Sequence, residues 1–192
     1  MATRDSLLDV TARLYSEHGW RGTTTRRIAE AAGVNEVTLF RQFGSKEALL
    51  LEAIGQAAFE HLVVSLPETP SNLTAELTYW GEAQHRSITA MRGIIRSCLA
   101  ESEERPGLAP QACGGGAVAA ADLTRYLMLA RARDMIAPDG AIDAAAIMLI
   151  NAIFMDAMTR DIMPAAHLYS PEQSIELFVD LVLRGLAAKE LA

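Results

Sequence analysis

The sequence predicts an all-α protein of about nine helices, with a small N-terminal three-helix domain over residues 1–50 and a larger helical domain over 51–192. Three observations carry this. Apolar residues recur at helical spacing along almost the whole chain, alternating runs of β-branched residues are absent, and Gly and Pro fall where they cut the chain into helix-length pieces. Apolar residues make up 51% of the 192, against 21% charged, so the chain can bury a core and is not a disordered polymer.

The first helix is expected over about Arg4 to His18, where Leu7, Leu8, Val10, Leu14 and Tyr15 share one side. Gly19 ends it in a left-handed position. The run Thr23-Thr24-Thr25 offers an N-cap for a short second helix that stops at Gly33, with Ile28, Ala29 and Ala32 inward. Val34 is the apolar residue of the turn. A third short helix spans about Glu36 to Phe43, with Leu39 and Phe43 inward and Thr38, Arg41 and Gln42 outward. Gly44 closes it, and Ser45 caps a fourth helix that carries Leu49, Leu50, Ala53, Ile54 and Ala57 towards about Val64. Pro67 and Pro70 interrupt the chain there.

Further on, one helix is expected at about 72–87 and another at 88–103. The stretch Arg105-Pro106-Gly107-Leu108-Ala109-Pro110 breaks the chain, and Gly114-Gly115-Gly116 reads as a joint before a helix at 117–135. Residues 142–162 form a helix that is apolar nearly all round from Ala144 to Met158, so it must be covered on both sides. The last helix opens on Ser170-Pro171-Glu172-Gln173: Ser170 as N-cap, Pro171 at the first helical position and Gln173 completing a capping box.

Charge is unevenly spread. The net charge is −7, yet residues 1–55 hold seven Lys/Arg and seven Asp/Glu, so all of the excess lies beyond them. Residues 20–46 are locally basic, with Arg21, Arg26, Arg27, Arg41 and Lys46 against Glu30 and Glu36. A basic segment on an acidic body suits an anionic partner and discourages non-specific adhesion. No stretch reaches the roughly 20 apolar residues of a membrane span, the longest being Ala144 to Met155 with Asn151 inside it. The N-terminus carries no apolar signal core, so a cytoplasmic protein without a membrane partner is expected. Cys98 and Cys113 make no disulfide framework. They are ordinary thiols or, as the alternative, a redox pair. His18, His61, His85 and His167 lack metal-ligand spacing, and no cofactor, metal or catalytic constellation is expected.

Three short helices in about 40 residues, with a tight Gly33-Val34 turn before the third, describe a helix-turn-helix. The residues Gly19-Trp20, Thr23 to Ala29, Ala32-Gly33-Val34, Thr38-Leu39-Phe40 and Phe43 to Leu50 resemble the tetracycline-repressor (TetR) family closely. That resemblance implies a transcription regulator and not an enzyme. Thr24, Thr25 and Arg26 would touch phosphates of a double-stranded DNA operator. Glu36, Val37, Thr38, Arg41 and Gln42 would lie on the recognition helix, and Lys46 would hold a phosphate. Phe40 stands where the family usually has tyrosine, so it forgoes a phosphate bond. The chemistry agrees, since Arg pairs with guanine and Gln with adenine. Glu36 either accepts from cytosine or simply favours its helix N-terminus.

The resemblance further implies a homodimer that meets half-sites about 34–36 Å apart, released by a small-molecule effector. Ile147, Ile150, Phe154, Met158, Phe178, Val182 and Leu186 are candidates for a four-helix interface between subunits, the alternative being plain intrachain core. Tyr79, Trp80, Gln84, His85, Met91, Arg96, Cys98, Tyr126 and Met128 are candidate lining residues of an effector pocket, and aromatics with few polar groups suit an apolar ligand. An enzyme of helical fold and a helical adaptor are the competing readings.

Overall fold

A computed structural model describes residues 4–61 and 65–187, with the side chains of 109, 111–113 and 187 left outside that description. It is helical throughout: α1 (Arg4–Gly22), α2 (Thr25–Ala32), α3 (Glu36–Phe43), α4 (Lys46–Glu60), α5 (Leu73–Ala100), α6 (Leu108–Ala132), α7 (Ile142–Thr159), a 3-10 turn (Pro164–Ala166) and α8 (Pro171–Ala187). The chain forms two compact units. One comprises Met1–Leu62 with Ala90–Gly115, the other Val63–Thr89 with Gly116–Ala192.

Among the described residues there are eight α-helices, fewer than the sequence suggests because α5 is continuous. The separate helices expected at 72–87 and 88–103 are one. The expected break at 87–88 falls inside it, and nothing between Arg86 and Met91 breaks a helix. Likewise α6 begins at Leu108 and runs through Gly114–Gly116. Pro110 falls in the first turn, where its missing N–H has no intrahelical partner to lose. The glycines cost helix propensity, about 1 kcal/mol each relative to alanine, but Leu108 and Ala119, buried on either side of them, hold the helix in register. Cys98 is a buried free thiol, whereas Cys113 lies outside the described side chains.

In the first unit the core is Leu7, Leu8, Leu14, Ile28, Ala29, Leu39, Phe43, Leu49 and Ala53, drawn from all of α1–α4. The periodicity expected of each helix is therefore satisfied mutually, and none of the four needs to be stable alone. Arg4 closes the bottom of this core. It lies over the Phe43 ring at 4.2 Å and donates to both carboxylate oxygens of Glu52, at 2.9 and 2.6 Å. The end of α5 approaches α1 closely at Gly93. A Cβ there would lie 2.0 Å from Ser16 Oγ and 3.1 Å from the Ser16 carbonyl oxygen. Ser97 Oγ donates to the Tyr15 carbonyl at 3.2 Å beside it.

The second unit is built on Leu77, Trp80, Leu123, Tyr126, Leu127, Leu149, Ile153, Ile175 and Val179, all nearly or fully buried. α7 is long and apolar enough by composition to cross a membrane. Here Ala146, Leu149 and Ile153 place one side of it in this core. Where it ends, a polar cluster forms. The Asp156 carboxylate, 5% exposed, accepts from Arg160 Nε at 2.6 Å and Nη2 at 2.9 Å. It also meets His85 Nε2 at 2.9 Å and His167 Nδ1 at 3.2 Å. Arg160 goes on to Ser174 Oγ and the Tyr169 carbonyl, both at 2.8 Å. One carboxylate thus ties α5, α7, the 160–170 loop and α8 together. The capping box expected at Ser170 is present: Ser170 Oγ accepts from Gln173 N–H, and Gln173 Oε1 accepts from Ser170 N–H, both at 3.2 Å.

Candidate nucleic-acid interface

The candidate site is local in origin. Thr24 adopts an extended conformation (φ −90°, ψ 152°) and its Oγ1 accepts from Arg27 N–H at 3.2 Å, so α2 starts at Thr25. Gly33 (φ 68°) ends it in the left-handed region that a β-carbon disfavours, and Val34 N–H returns to the Ala29 carbonyl at 3.0 Å. Asn35 then caps α3, its Oδ1 accepting from Val37 N–H at 2.9 Å. The sequence reading passed over Asn35, although an asparagine immediately before Glu36-Val37 is itself a start signal. Ser45 Oγ accepts from Ala48 N–H at 3.0 Å and starts α4 as expected.

These turns aim α3. Leu39 and Phe43 are buried, and the opposite face presents Val37 (71% exposed), Phe40 (49% exposed) and Arg41. Arg41 has no side-chain partner among the described residues, so its guanidinium fork is available. Phe40 carries half its ring into solvent and presents a flat apolar surface where a tyrosine hydroxyl would stand. Thr38 and Gln42 are half-buried at the edges of this face, and Gln42 Oε1 is buried without a hydrogen-bond partner.

The residues at the head of α2 are partly engaged within the protein. Thr25 Oγ1 donates to Glu36 Oε2 at 2.8 Å, which joins the starts of α2 and α3. Glu36 is thereby a structural acceptor in this arrangement. Arg26 pairs with Glu30 one turn on, at 2.9 Å, both exposed. Arg27, which the sequence reading did not single out, donates to the Gly22 carbonyl and meets His18 Nε2, each at 3.0 Å, and so fixes the loop before α2. Thr24 is exposed. Lys46 donates to the Trp20 carbonyl at 2.5 Å, and its ammonium lies over the Trp20 ring at 4.3 Å. Burial lowers the Lys46 pKa, the nearby Arg105 charge lowers it further, and Glu101 opposes.

The residues named for an effector pocket are divided between the two units. Met91 and Arg96 belong to the first unit; Tyr79, Trp80, Gln84, His85, Tyr126 and Met128 belong to the second. Tyr79 is 72% exposed on an open surface with Thr78, Glu82 and Glu176, and Met128 is also exposed. Trp80 and Tyr126 are core residues. Tyr126 donates to Glu76 Oε2 at 2.5 Å, while Trp80 Nε1 is buried without an acceptor among the described residues. His85 is buried and committed to Asp156. Burial lowers its pKa more than the Asp156 hydrogen bond and charge raise it.

The residues named for a subunit interface divide. Met158, Val182 and Leu186 are buried within their own unit, and Ile150 and Phe178 are partly buried against the same core. Phe154 is half-buried and Ile147 is exposed. Among the described residues the exposed large apolar side chains of the two helices are Ile147, Met148 and Met155 on α7 with Leu177 and Leu181 on α8, so Ile147 alone of the named set is exposed. Period-3.6 counting alone could not separate these from the core set on a helix apolar all round.

Residues 7–53 match the model of the family described as bacterial regulatory proteins, tetR family. A Mycobacterium bovis protein named as an uncharacterized HTH-type transcriptional regulator is 32% identical over 102 residues, 53% of this chain and 49% of that protein. The chain thus aligns with about half the length of such curated relatives. Its fold is similar to that of a transcriptional regulator from Rhodococcus sp. RHA1, with a TM-score of 0.75 at 17% identity over 98% of this chain and 100% of that one. It is also similar to that of the flavonoid-responsive regulator FrrA, with a TM-score of 0.72 at 23% identity over 97% and 98% of the two chains.

Proposed function

We infer that this chain is a member of the tetR family of bacterial regulatory proteins, whose model matches residues 7–53, and that it is a cytoplasmic, homodimeric transcriptional repressor that holds a palindromic DNA operator and leaves it when a small, mostly apolar effector binds. The observation that carries the reading is the exposed face of α3. A helix of eight residues, started by Asn35, tied to α2 through Glu36 and Thr25 and anchored by buried Leu39 and Phe43, offers Val37, Phe40 and Arg41 outward. Such a helix fits the major groove, where Arg41 would pair bidentately with guanine and Val37 and Phe40 would meet thymine methyls or sugars. Thr24, Thr25, Arg26 and Lys46 flank it at the starts of α2 and α4, where phosphates would lie. Gln42, half-buried, and Thr38 stand at its margins, and Glu36 serves by orienting Thr25.

The dimer reading draws on Ile147, Met148, Met155, Leu177 and Leu181. Five exposed large apolar side chains on two adjacent helices favour a second copy of the same face, joined isologously. The effector reading draws on Trp80, whose buried indole N–H lacks an acceptor, in a core that also holds Tyr126. A ligand carrying one acceptor on an apolar frame would satisfy it. The likeness to a flavonoid-responsive regulator points to the same kind of molecule. The reading assigns the chain no catalytic role.

Selection of bound fragments from genomic DNA tests the assignment. Arg41→Ala should relax preference at one base position, worth about 1–3 kcal/mol of discrimination, and leave affinity for random DNA nearly unchanged. Selected fragments that share no motif, or an Arg41→Ala protein that selects the parent's motif unaltered, would refute the assignment of α3.

A further inference from the structure

Trp20 is the last aromatic residue of α1, and two cations share its ring. Lys46 Nζ and the Arg105 guanidinium carbon each lie 4.3 Å from the ring centre. Arg105 stands on the corner between α5 and α6 and is held there by Glu101 at 2.5 Å and Glu104 at 3.0 Å. Lys46 has no such carboxylate. Among the described residues its ammonium meets only the Trp20 carbonyl and ring.

That asymmetry is informative. A half-buried ammonium with its water partly stripped, a guanidinium nearby and no carboxylate within ion-pair distance is an unbalanced charge. One of its three N–H donors is used by the Trp20 carbonyl, and the indole face occupies one side of it. Donor capacity remains for one anion. Burial and the Arg105 charge destabilise the protonated amine, and an arriving anion would relieve both.

Building on the operator-binding reading, we propose that Trp20 and Arg105 are positioning residues for Lys46: the indole and the guanidinium stacked on it hold the ammonium in place for a DNA phosphate. Neither residue touches the DNA. Trp20 fixes where the ammonium sits, and Arg105 fixes the indole by stacking on it from the α5–α6 corner. The phosphate grip at the head of α4 therefore depends on that corner staying in place. Planarity is the property that matters at 105, so lysine is no substitute there although it keeps the charge.

The test is a double-mutant cycle on the full chain, with random-sequence duplex DNA as the probe and binding followed across a salt titration. Lys46→Ala should weaken binding to every duplex and reduce the salt slope by about one. Arg105→Lys and Trp20→Leu should each weaken binding about three- to ten-fold in the protein that has Lys46. Each should change it less than about two-fold in the Lys46→Ala protein, because the group they position is already gone. Thermal unfolding checks that each variant is folded, and if Trp20→Leu is not, Arg105→Lys alone decides. Equal losses with and without Lys46 would overturn the proposal and leave operator binding intact. A parent protein that shows no salt-dependent binding to any duplex would overturn the operator reading, and the proposal with it.

Discussion

Asp156→Ala strikes the point where the most elements of the second unit converge. The carboxylate is 5% exposed and accepts from Arg160 through two nitrogens, from His85 and from His167. Removing it leaves a guanidinium, 19% exposed, without its counter-charge, and takes one hydrogen-bond partner from each of two imidazoles. Breaking a buried pair this way costs about 3–5 kcal/mol. Because some water reaches Arg160, the lower end applies, about 3 kcal/mol. For a chain of this size each kcal/mol is worth about 2–4 °C, so Tm should fall by about 6–12 °C. The assay is thermal unfolding by circular dichroism at neutral pH and one fixed protein concentration, since association would otherwise move Tm. Asp156→Asn, which keeps the volume and removes the charge, should lose nearly as much. A drop of less than about 2 °C in either variant would refute the electrostatic reasoning.

The same cluster fixes a pH dependence. Burial pushes the Asp156 carboxyl up, but the Arg160 hydrogen bonds and charge, joined by the two histidines, outweigh it and hold it below the ordinary carboxylate range. Its contribution is therefore present above the unfolded value of about 3.9 and is lost as pH falls through the lower folded value. His85 is held below its ordinary value chiefly by burial. The unfolded chain takes up that proton first, so stability also declines as pH drops below about 6.5. Parent and Asp156→Ala unfolding temperatures should converge towards acid pH, and a constant gap down to pH about 3 would contradict the assignment.

Two further outcomes are expected. Gly93→Ala places a methyl group against Ser16 of α1, 2.0 Å from its Oγ and 3.1 Å from its carbonyl. The side chain can rotate but the carbonyl cannot, so a loss of about 1–3 kcal/mol is expected, read as a lower urea midpoint with an unchanged m-value; a midpoint equal to the parent's would show that α5 shifts freely. Met148→Glu with Leu181→Glu puts charge on exposed apolar side chains of α7 and α8, and sedimentation should show the proposed dimer giving way to folded monomer, whereas a dimer that survives both changes uses another surface.

The amino-acid sequence by itself determined the helical class, the helices at the N-terminus and most of the caps that bound them, the α3 cap Asn35 apart. Thr24, Gly33, Ser45 and the Ser170–Gln173 box act through hydrogen bonds that span a few residues, so their meaning is present in the local string. The outward placement of Arg41 followed for the same reason, since Leu39 and Phe43 on the same two turns had to face inward. What only the tertiary structure decided are the features made by residues far apart in the chain. Asp156 meets His85 across 71 positions and Lys46 meets the Trp20 carbonyl across 26, and no periodicity encodes either meeting. The division of the α7 and α8 apolar residues into core and open face also lay outside the sequence. A helix apolar all round gives no phase, and only the packing of Leu149, Ile153 and Val179 against Leu77, Trp80 and Leu123 sets one.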